Sequence, residues 1–151
     1  MQDFRRLQVW QKAHELAVDI FRLSEHFPAR GGLALTNQLR RAALSIPSNI
    51  AEGAAKPSGA EFHRFLQIAM GSAAETEYQL LLARDTDVLD RARYDDLSSR
   101  TVEIRRMLVG LAKRVAPKHP SAQSTLSKPQ APQVVAPAAS ESLLAGDDLP
   151  P

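Results

Sequence analysis

The sequence predicts an all-α protein: an antiparallel up-and-down four-helix bundle followed by a disordered, proline-rich C-terminal tail. Three observations carry that prediction. Apolar residues before Pro117 recur at three- and four-residue steps, the breaks between these runs are short, and no run alternates β-branched residues as a strand would. Short connections between amphipathic helices favour antiparallel neighbours.

The first helix is read from Val9, Ala13, Leu16, Ala17, Ile20, Leu23 and Phe27, a single apolar stripe. Pro28, Gly31 and Gly32 are expected to break it, with Thr36 as the N-cap of a second helix that turns Leu39, Ala42, Ala43, Ile46 and Ile50 inward and closes at Gly53 and Pro57. Ser58 opens the third helix with "SGAE", the spacing of a capping box, and Phe62, Phe65, Leu66, Ala69, Ala73, Leu80 and Leu81 form its apolar face. A fourth helix begins near Asp90 and carries Leu97, Thr101, Ile104, Leu108, Leu111 and Val115. Composition changes at Pro117, and the segment from Pro117 onward holds seven of the ten prolines and no periodicity. Residues 1–116 are therefore assigned to the bundle and 117–151 to a tail with too little apolar surface to offset its ordering entropy.

The second helix contains "SIPSNIAEG", with Pro47 in its interior. A proline there removes one N–H and clashes with the carbonyl of Ala43, at a cost of roughly 3 kcal/mol. The expected remedy is local, with the hydroxyls of Ser45 or Ser48 bonding the freed carbonyls behind a kink. An antiparallel hairpin turning near Pro57 sets residues 42–43 opposite 71–72, so that Ala-Ala faces Gly71-Ser72 and the small residues allow close approach. The same register predicts an ion pair of Arg40 and Arg41 with Glu75. Arg41, Ser45, Asn49 and Glu52 form a polar stripe, read as structural contacts at a helix groove or subunit boundary rather than as catalytic groups.

Composition and motifs exclude several chemistries. The 151 residues contain no cysteine, so disulfides and thiolate metal sites are ruled out and a reducing compartment is expected. No apolar run reaches the ~20 residues a membrane span needs, and the N-terminus lacks a secretory core, which predicts a soluble cytoplasmic protein. No glutamate begins a Glu-x-x-His pair and no His-Glu-x-x-His motif occurs, so neither a metal nor another cofactor is expected. His14, His26, His63 and His119 are scattered and read as surface or half-buried. Arg114 and His119 match the Arg-x4-His spacing of some small helical ribonucleases, but Pro117 interrupts the helix between them. No nucleophile elbow or phosphate-holding glycine loop is present, and no enzymatic activity is predicted.

Charge placement points elsewhere. Net charge is only +2, with a pI near 9.2. In an up-and-down bundle, however, the starts of helices one and three meet the ends of helices two and four. That pole collects Arg5, Arg6, Lys12, Lys56, Arg64, Arg105, Arg106, Lys113 and Arg114 against Asp3, Glu15, Glu52, Glu61 and Glu103. The far part of helix three carries Glu75, Glu77, Asp85, Asp87 and Asp90 against Arg84. A subunit basic at one pole and acidic at the other is expected. The candidate phosphate contacts are Arg5, Arg6, Lys12, Arg105, Arg106, Lys113 and Arg114. Aromatic residues are 5% of the chain, and Trp10, Phe62 and Phe65 read as core or interface, so base stacking is not expected. The competing reading pairs these cations with acids of a neighbouring subunit and leaves a protein-interaction scaffold.

The blocks "DFRRLQVWQKAHELAVDIFRL", "FPARGGLALTNQLRRAALSIPSNIAEG" and "EFHRFLQIAMGSAAETEYQL" resemble successive segments of the bacterial four-helix-bundle family named after proteins encoded in intervening sequences of 23S ribosomal RNA genes. The family is also similar to the accessory protein of diversity-generating retroelements. The resemblance implies a homopentameric ring with a central passage and nucleic-acid binding, and it implies no known enzymatic activity. A reverse transcriptase or another protein is the partner it leaves open, beside RNA or DNA. The long tail is an addition to the family pattern.

Overall fold

The computed structural model describes residues 2–117, apart from the side chains of residues 29–31. Residues 118–151 of the expected tail, His119 among them, lie outside the described residues. A 3₁₀ turn at Phe4–Arg6 precedes four α-helices: α1 (Gln8–Ser24), α2 (Ala29–Ala54), α3 (Gly59–Asp85) and α4 (Arg91–Val115). Among the described residues there is no strand. Each helix packs on its neighbours in the cycle α1–α2–α3–α4–α1 and none packs across the diagonal, which is the up-and-down bundle the periodicity predicts.

The core consists of the expected stripes. Leu16, Ile20, Leu39, Ile46, Ile50, Leu66, Leu80, Ile104 and Leu108 are all essentially inaccessible to solvent, and each such side chain contributes roughly 1.5–3 kcal/mol of burial. Trp10 packs on the core edge-on to Phe4, at 4.7 Å between ring centroids, and its other neighbour is the exposed His14 ring, parallel at 5.0 Å.

Three local expectations change. The segment from Ala29 to Thr36 is helical, not a break. Pro28 occupies the N-cap position with φ −62°, and α2 runs unbroken from Ala29. Proline preceding the first turn forfeits no hydrogen bond, because the first N–H groups of a helix have no partner. Gly32 is buried close to the Pro28 ring, and Thr36 is a buried mid-helix residue rather than a cap. At α3 the Ser58 hydroxyl accepts from the Glu61 N–H at 3.2 Å as expected, but the Glu61 carboxylate takes the Ser58 hydroxyl at 2.8 Å instead of the backbone N–H of a full capping box.

The α2–α3 register is shifted by about one helical turn from the expected one. Ser45, not Ala42, faces Ser72, with the two hydroxyls 2.8 Å apart. A tight approach lies further along, at Gly53, where a Cβ would come within 2.7 Å of Phe65 Cβ and 2.8 Å of Phe62 Cδ2. Gly71 has no such role, since a Cβ there would meet nothing within 4 Å. Pro47 sits inside α2 and the helix continues through it. Around it the Ser48 hydroxyl donates to the Leu44 carbonyl and Asn49 Nδ2 to the Ser45 carbonyl, both at 2.8 Å; these side chains bond the carbonyls just after that of Ala43, not the Ala43 carbonyl itself.

Candidate nucleic-acid interface

The pole formed by the starts of α1 and α3 and the ends of α2 and α4 is assembled by backbone contacts. Gln2 N–H donates to the Ala54 carbonyl at 3.0 Å, tying the N-terminal segment over the end of α2. Gln11 Nε2 donates to the Arg5 carbonyl at 2.8 Å and fixes the 3₁₀ turn on α1. His63 Nδ1–H donates to the Ala112 carbonyl at 3.0 Å and joins α3 to the last turns of α4. A groove of about 430 Å³ between the start of α1 and α4 is lined by Leu7, Gln8, Val9, Met107, Gly110, Leu111 and Arg114.

The predicted cations divide into two groups. Arg6, Arg106, Lys113 and Arg114 are exposed and have no ion-pair partner among the described residues. Arg106, Gly110, Lys113 and Arg114 follow i, i+4, i+7, i+8 spacing, so α4 presents them on one exposed stripe. Lys113 and Arg114 also stand in the last turn, where cations complement the helix dipole whatever else they do. Arg5 belongs with this group only loosely: it approaches Asp3 at 3.8 Å and lies 4.6 Å from the Phe4 ring centroid. Lys12 and Arg105 are engaged by their own subunit, Lys12 with Glu103 at 3.0 Å and Arg105 with Glu77 at 3.4 Å. Glu77 therefore counters a candidate contact instead of marking the opposite pole.

That opposite pole is not acidic as expected. Arg91, Arg93 and Arg100 stand there beside Arg84, and they pair with the carboxylates: Arg84 with Asp85 at 2.6 Å, Arg93 with Asp90 at 3.4 Å, Arg91 with Asp95 at 3.5 Å, and Arg100 with Asp19 at 2.8 Å and Asp96 at 3.3 Å. Hydrogen bonding to Asp85 raises the Arg84 guanidinium above its ordinary pKa. Burial pulls Arg100 down, but its hydrogen bonds to Asp19 and Asp96 outweigh that and leave it raised. The charge asymmetry is thus an open basic pole facing a self-neutralised one.

The polar residues assigned to helix contacts also separate. Ser45, Asn49 and Ser72 form one network in the α2–α3 groove. Glu52 is exposed and pairs with Lys56 at 3.5 Å. The ion pair of Arg40 and Arg41 with Glu75 is absent. Arg40 turns toward α1, where its Nε donates to the Ser24 hydroxyl at 2.7 Å and its guanidinium lies 5.5 Å from the Phe21 ring centroid. Arg41 points into solvent, and Glu75 accepts from Gln79 Nε2 at 3.1 Å. Ser24 has no signal in the sequence as the partner of Arg40: the apolar stripe carries the expected helix on to Phe27, whereas α1 ends at Ser24. Among the described residues no group of three His, Cys, Asp or Glu side chains is placed to hold a metal, and no helix is long and apolar enough to cross a membrane.

Comparison with known proteins adds a family. The model of the family described as 23S rRNA-intervening sequence protein matches residues 5–110. A crystal structure at 1.70 Å of a protein with unknown function from the S23 ribosomal protein family of Bacteroides thetaiotaomicron VPI-5482 is similar in sequence and fold. The two are 32% identical, the TM-score is 0.66, and the match covers 70% of this chain and 98% of the other. No curated protein matches the chain.

Proposed function

The chain belongs to the 23S rRNA-intervening sequence protein family, and on that premise we propose that it is a non-enzymatic, homo-oligomeric module that binds the backbone of RNA or DNA through its basic pole. The observation that supports this reading is the stripe of Arg106, Lys113 and Arg114, exposed and without ion-pair partners among the described residues, at the same pole as Arg6. Lysines and arginines left open in this way release counterions from a polyanion, and that release supplies sequence-independent affinity. Assembly as a ring of five, which the family resemblance implies, would repeat the pole around one axis and add its charges. Without a stacking platform, contacts would fall on phosphates and sequence preference would be weak.

The test is titration of unrelated RNA and DNA oligonucleotides, followed by fluorescence anisotropy at rising salt. Affinity should fall steeply with salt, and the combined Arg106→Glu, Lys113→Glu and Arg114→Glu variant should bind at least tenfold more weakly while circular dichroism shows it still folded, with only the modest loss of stability that reversed charges at the end of α4 entail. Binding that ignores both salt and charge reversal overturns the reading. No binding at any salt favours a protein-interaction scaffold with no nucleic-acid role.

A further inference from the structure

The α2–α3 side of the bundle carries apolar side chains that its own core does not use. Leu33 and Leu44 on α2 and Ile68, Tyr78 and Leu82 on α3 are between 37% and 63% exposed. On α3, Ile68, Gly71, Glu75, Tyr78 and Leu82 follow alternating three- and four-residue steps, the spacing of a helix-packing seam, yet they face away from their own bundle. Gly71 lies within that seam. Nothing inside the subunit requires a glycine there, since a Cβ would meet nothing within 4 Å, although glycine in a helix interior is destabilising relative to alanine. Close approach of a backbone from outside supplies a reason.

Two polar features mark the same face as incomplete. Gln79 is buried, its Nε2 is used by Glu75, and its Oε1 has no hydrogen-bond partner among the described residues. It lines an apolar groove of about 600 Å³ with Pro28, Leu35, Tyr78, Leu82 and Val88. A buried acceptor left unpaired costs free energy that a donor from a partner would recover. On the rim, Arg41 and Glu75 are both exposed, and neither has an ion-pair partner among the described residues.

We propose that this face docks a second copy of the chain, the α2 edge of one protomer lying beside the α3 edge of the next. The proposal rests on the homo-oligomer reading and assigns the surface that makes the oligomer. The heights of the residues argue for it. With Ser45 level with Ser72, Leu44 stands within about one helical turn of Gly71, Arg41 of Glu75, and Leu33 of Leu82 at the groove. Rotation about an axis parallel to the helices preserves height, so these pairs meet when copies stand side by side. Leu44 then packs over Gly71, Leu33 enters the groove, and Arg41 finds in the next copy the carboxylate it lacks in its own. The opposite charges select a second copy over an unrelated apolar partner.

The experiment is sedimentation velocity on the full chain with Gly71→Leu, Glu75→Arg, Arg41→Glu and the charge-exchanged double variant, with helicity followed by circular dichroism. Gly71→Leu is expected to keep the protomer fold, since the position is exposed and a Cβ there meets nothing within 4 Å, and circular dichroism checks that it does. Each single variant should shift the dissociation constant of the oligomer at least tenfold toward free protomers, and the double variant should regain much of the loss. An oligomer that persists unchanged in Gly71→Leu and Glu75→Arg overturns this surface and leaves the homo-oligomer reading standing. A wild-type chain that sediments as a protomer at every concentration overturns both. Singles that dissociate and a double that does not recover overturn the Arg41–Glu75 pairing.

Discussion

Ser45 Oγ lies 2.8 Å from Ser72 Oγ across the seam between α2 and α3, and the contact is one step of a directional chain. Asn49 Nδ2 donates to Ser45 Oγ at 2.9 Å. Ser72 gives its proton to the Ile68 carbonyl at 3.1 Å, so Ser45 is the donor between the two serines. Ser45→Ala or Ser72→Ala alone is expected to lower the unfolding free energy by ~1–2 kcal/mol, because each strands a half-buried partner. The double variant should cost less than the sum of the singles. Urea denaturation of the four proteins measures this, and additive losses would mean that the hydroxyls act independently.

Two glycines on diagonally opposed helices, α2 and α4, should respond to alanine in opposite ways. At Gly53 the new methyl would strike Phe65 and Phe62, and overpacking of this kind costs about 1–3 kcal/mol. At Gly110, where a Cβ meets nothing within 4 Å, alanine should stabilise α4 by about 0.5–1 kcal/mol through helix propensity. Thermal melting of Gly53→Ala and Gly110→Ala separates the two, and a stabilised Gly53→Ala would show that α2 and α3 are further apart at their turn.

The Arg100–Asp19 pair joins α4 to α1 with both side chains partly exposed. Arg100→Ala should therefore cost no more than ~1 kcal/mol, and less at high salt. Because the folded-state pKa of Arg100 is raised, its contribution is complete below the ordinary arginine pKa and is lost only as pH rises through the higher folded value. Unfolding measurements between pH 6 and 9 should show the same Arg100→Ala penalty throughout. A penalty that changes across that window would assign the pair's energy to another titrating group.

Asp87, in the turn between α3 and α4, has φ 57°, in the left-handed region. Asp87→Gly is expected to be neutral or to stabilise by up to ~1 kcal/mol, whereas Asp87→Val should cost ~1–2 kcal/mol. Chemical denaturation checks the order, and equal stability of the two would show that the turn relaxes.

If the basic pole binds phosphates, removing one charge should change the salt dependence by a countable amount. Lys113→Gln should reduce the slope of log affinity against log salt by about 0.9 on duplex DNA and about 0.7 on a single strand. Lys12→Gln should change it less, since Lys12 already meets Glu103. Equal effects at the two positions would show that the pairs within the subunit open on binding.

The helices were legible because their apolar stripes are long and strongly periodic, as in α1, whose inward residues from Val9 to Ile20 are buried. The start of α2 was not, since Pro28, Gly31 and Gly32 carry the composition of a turn while the backbone uses the proline to begin a helix. Register was legible only to within a turn of helix. Small residues at 42–43 and 71–72 suggested close approach, but Gly53 makes it, a residue whose position near a helix end has an ordinary explanation of its own. The ion pair of Arg40 with Glu75 failed for the same reason, because an error in helix rotation carries a long side chain to a different neighbour. The basic pole was readable from topology. The neutralised far pole was missed because the charges counted there were those of helix three and its turn, whereas Arg91, Arg93 and Arg100 enter from the first half of α4 and pair with acids on several elements.

Thr76 and Thr101 are wholly enclosed, and each hydroxyl bonds a carbonyl of its own helix, Ser72 at 2.9 Å and Leu97 at 2.7 Å. The innermost polar atoms therefore carry no instruction from one rod to the next. Packing of the apolar centre sets the spacing and rotation of the rods, while the polar bonds that tie one rod to the next come from nearer the rim, from serines, a guanidinium group and one imidazole. Swapping either threonine for valine should thus leave the alignment of the rods untouched, whereas edits at the perimeter would let them slide.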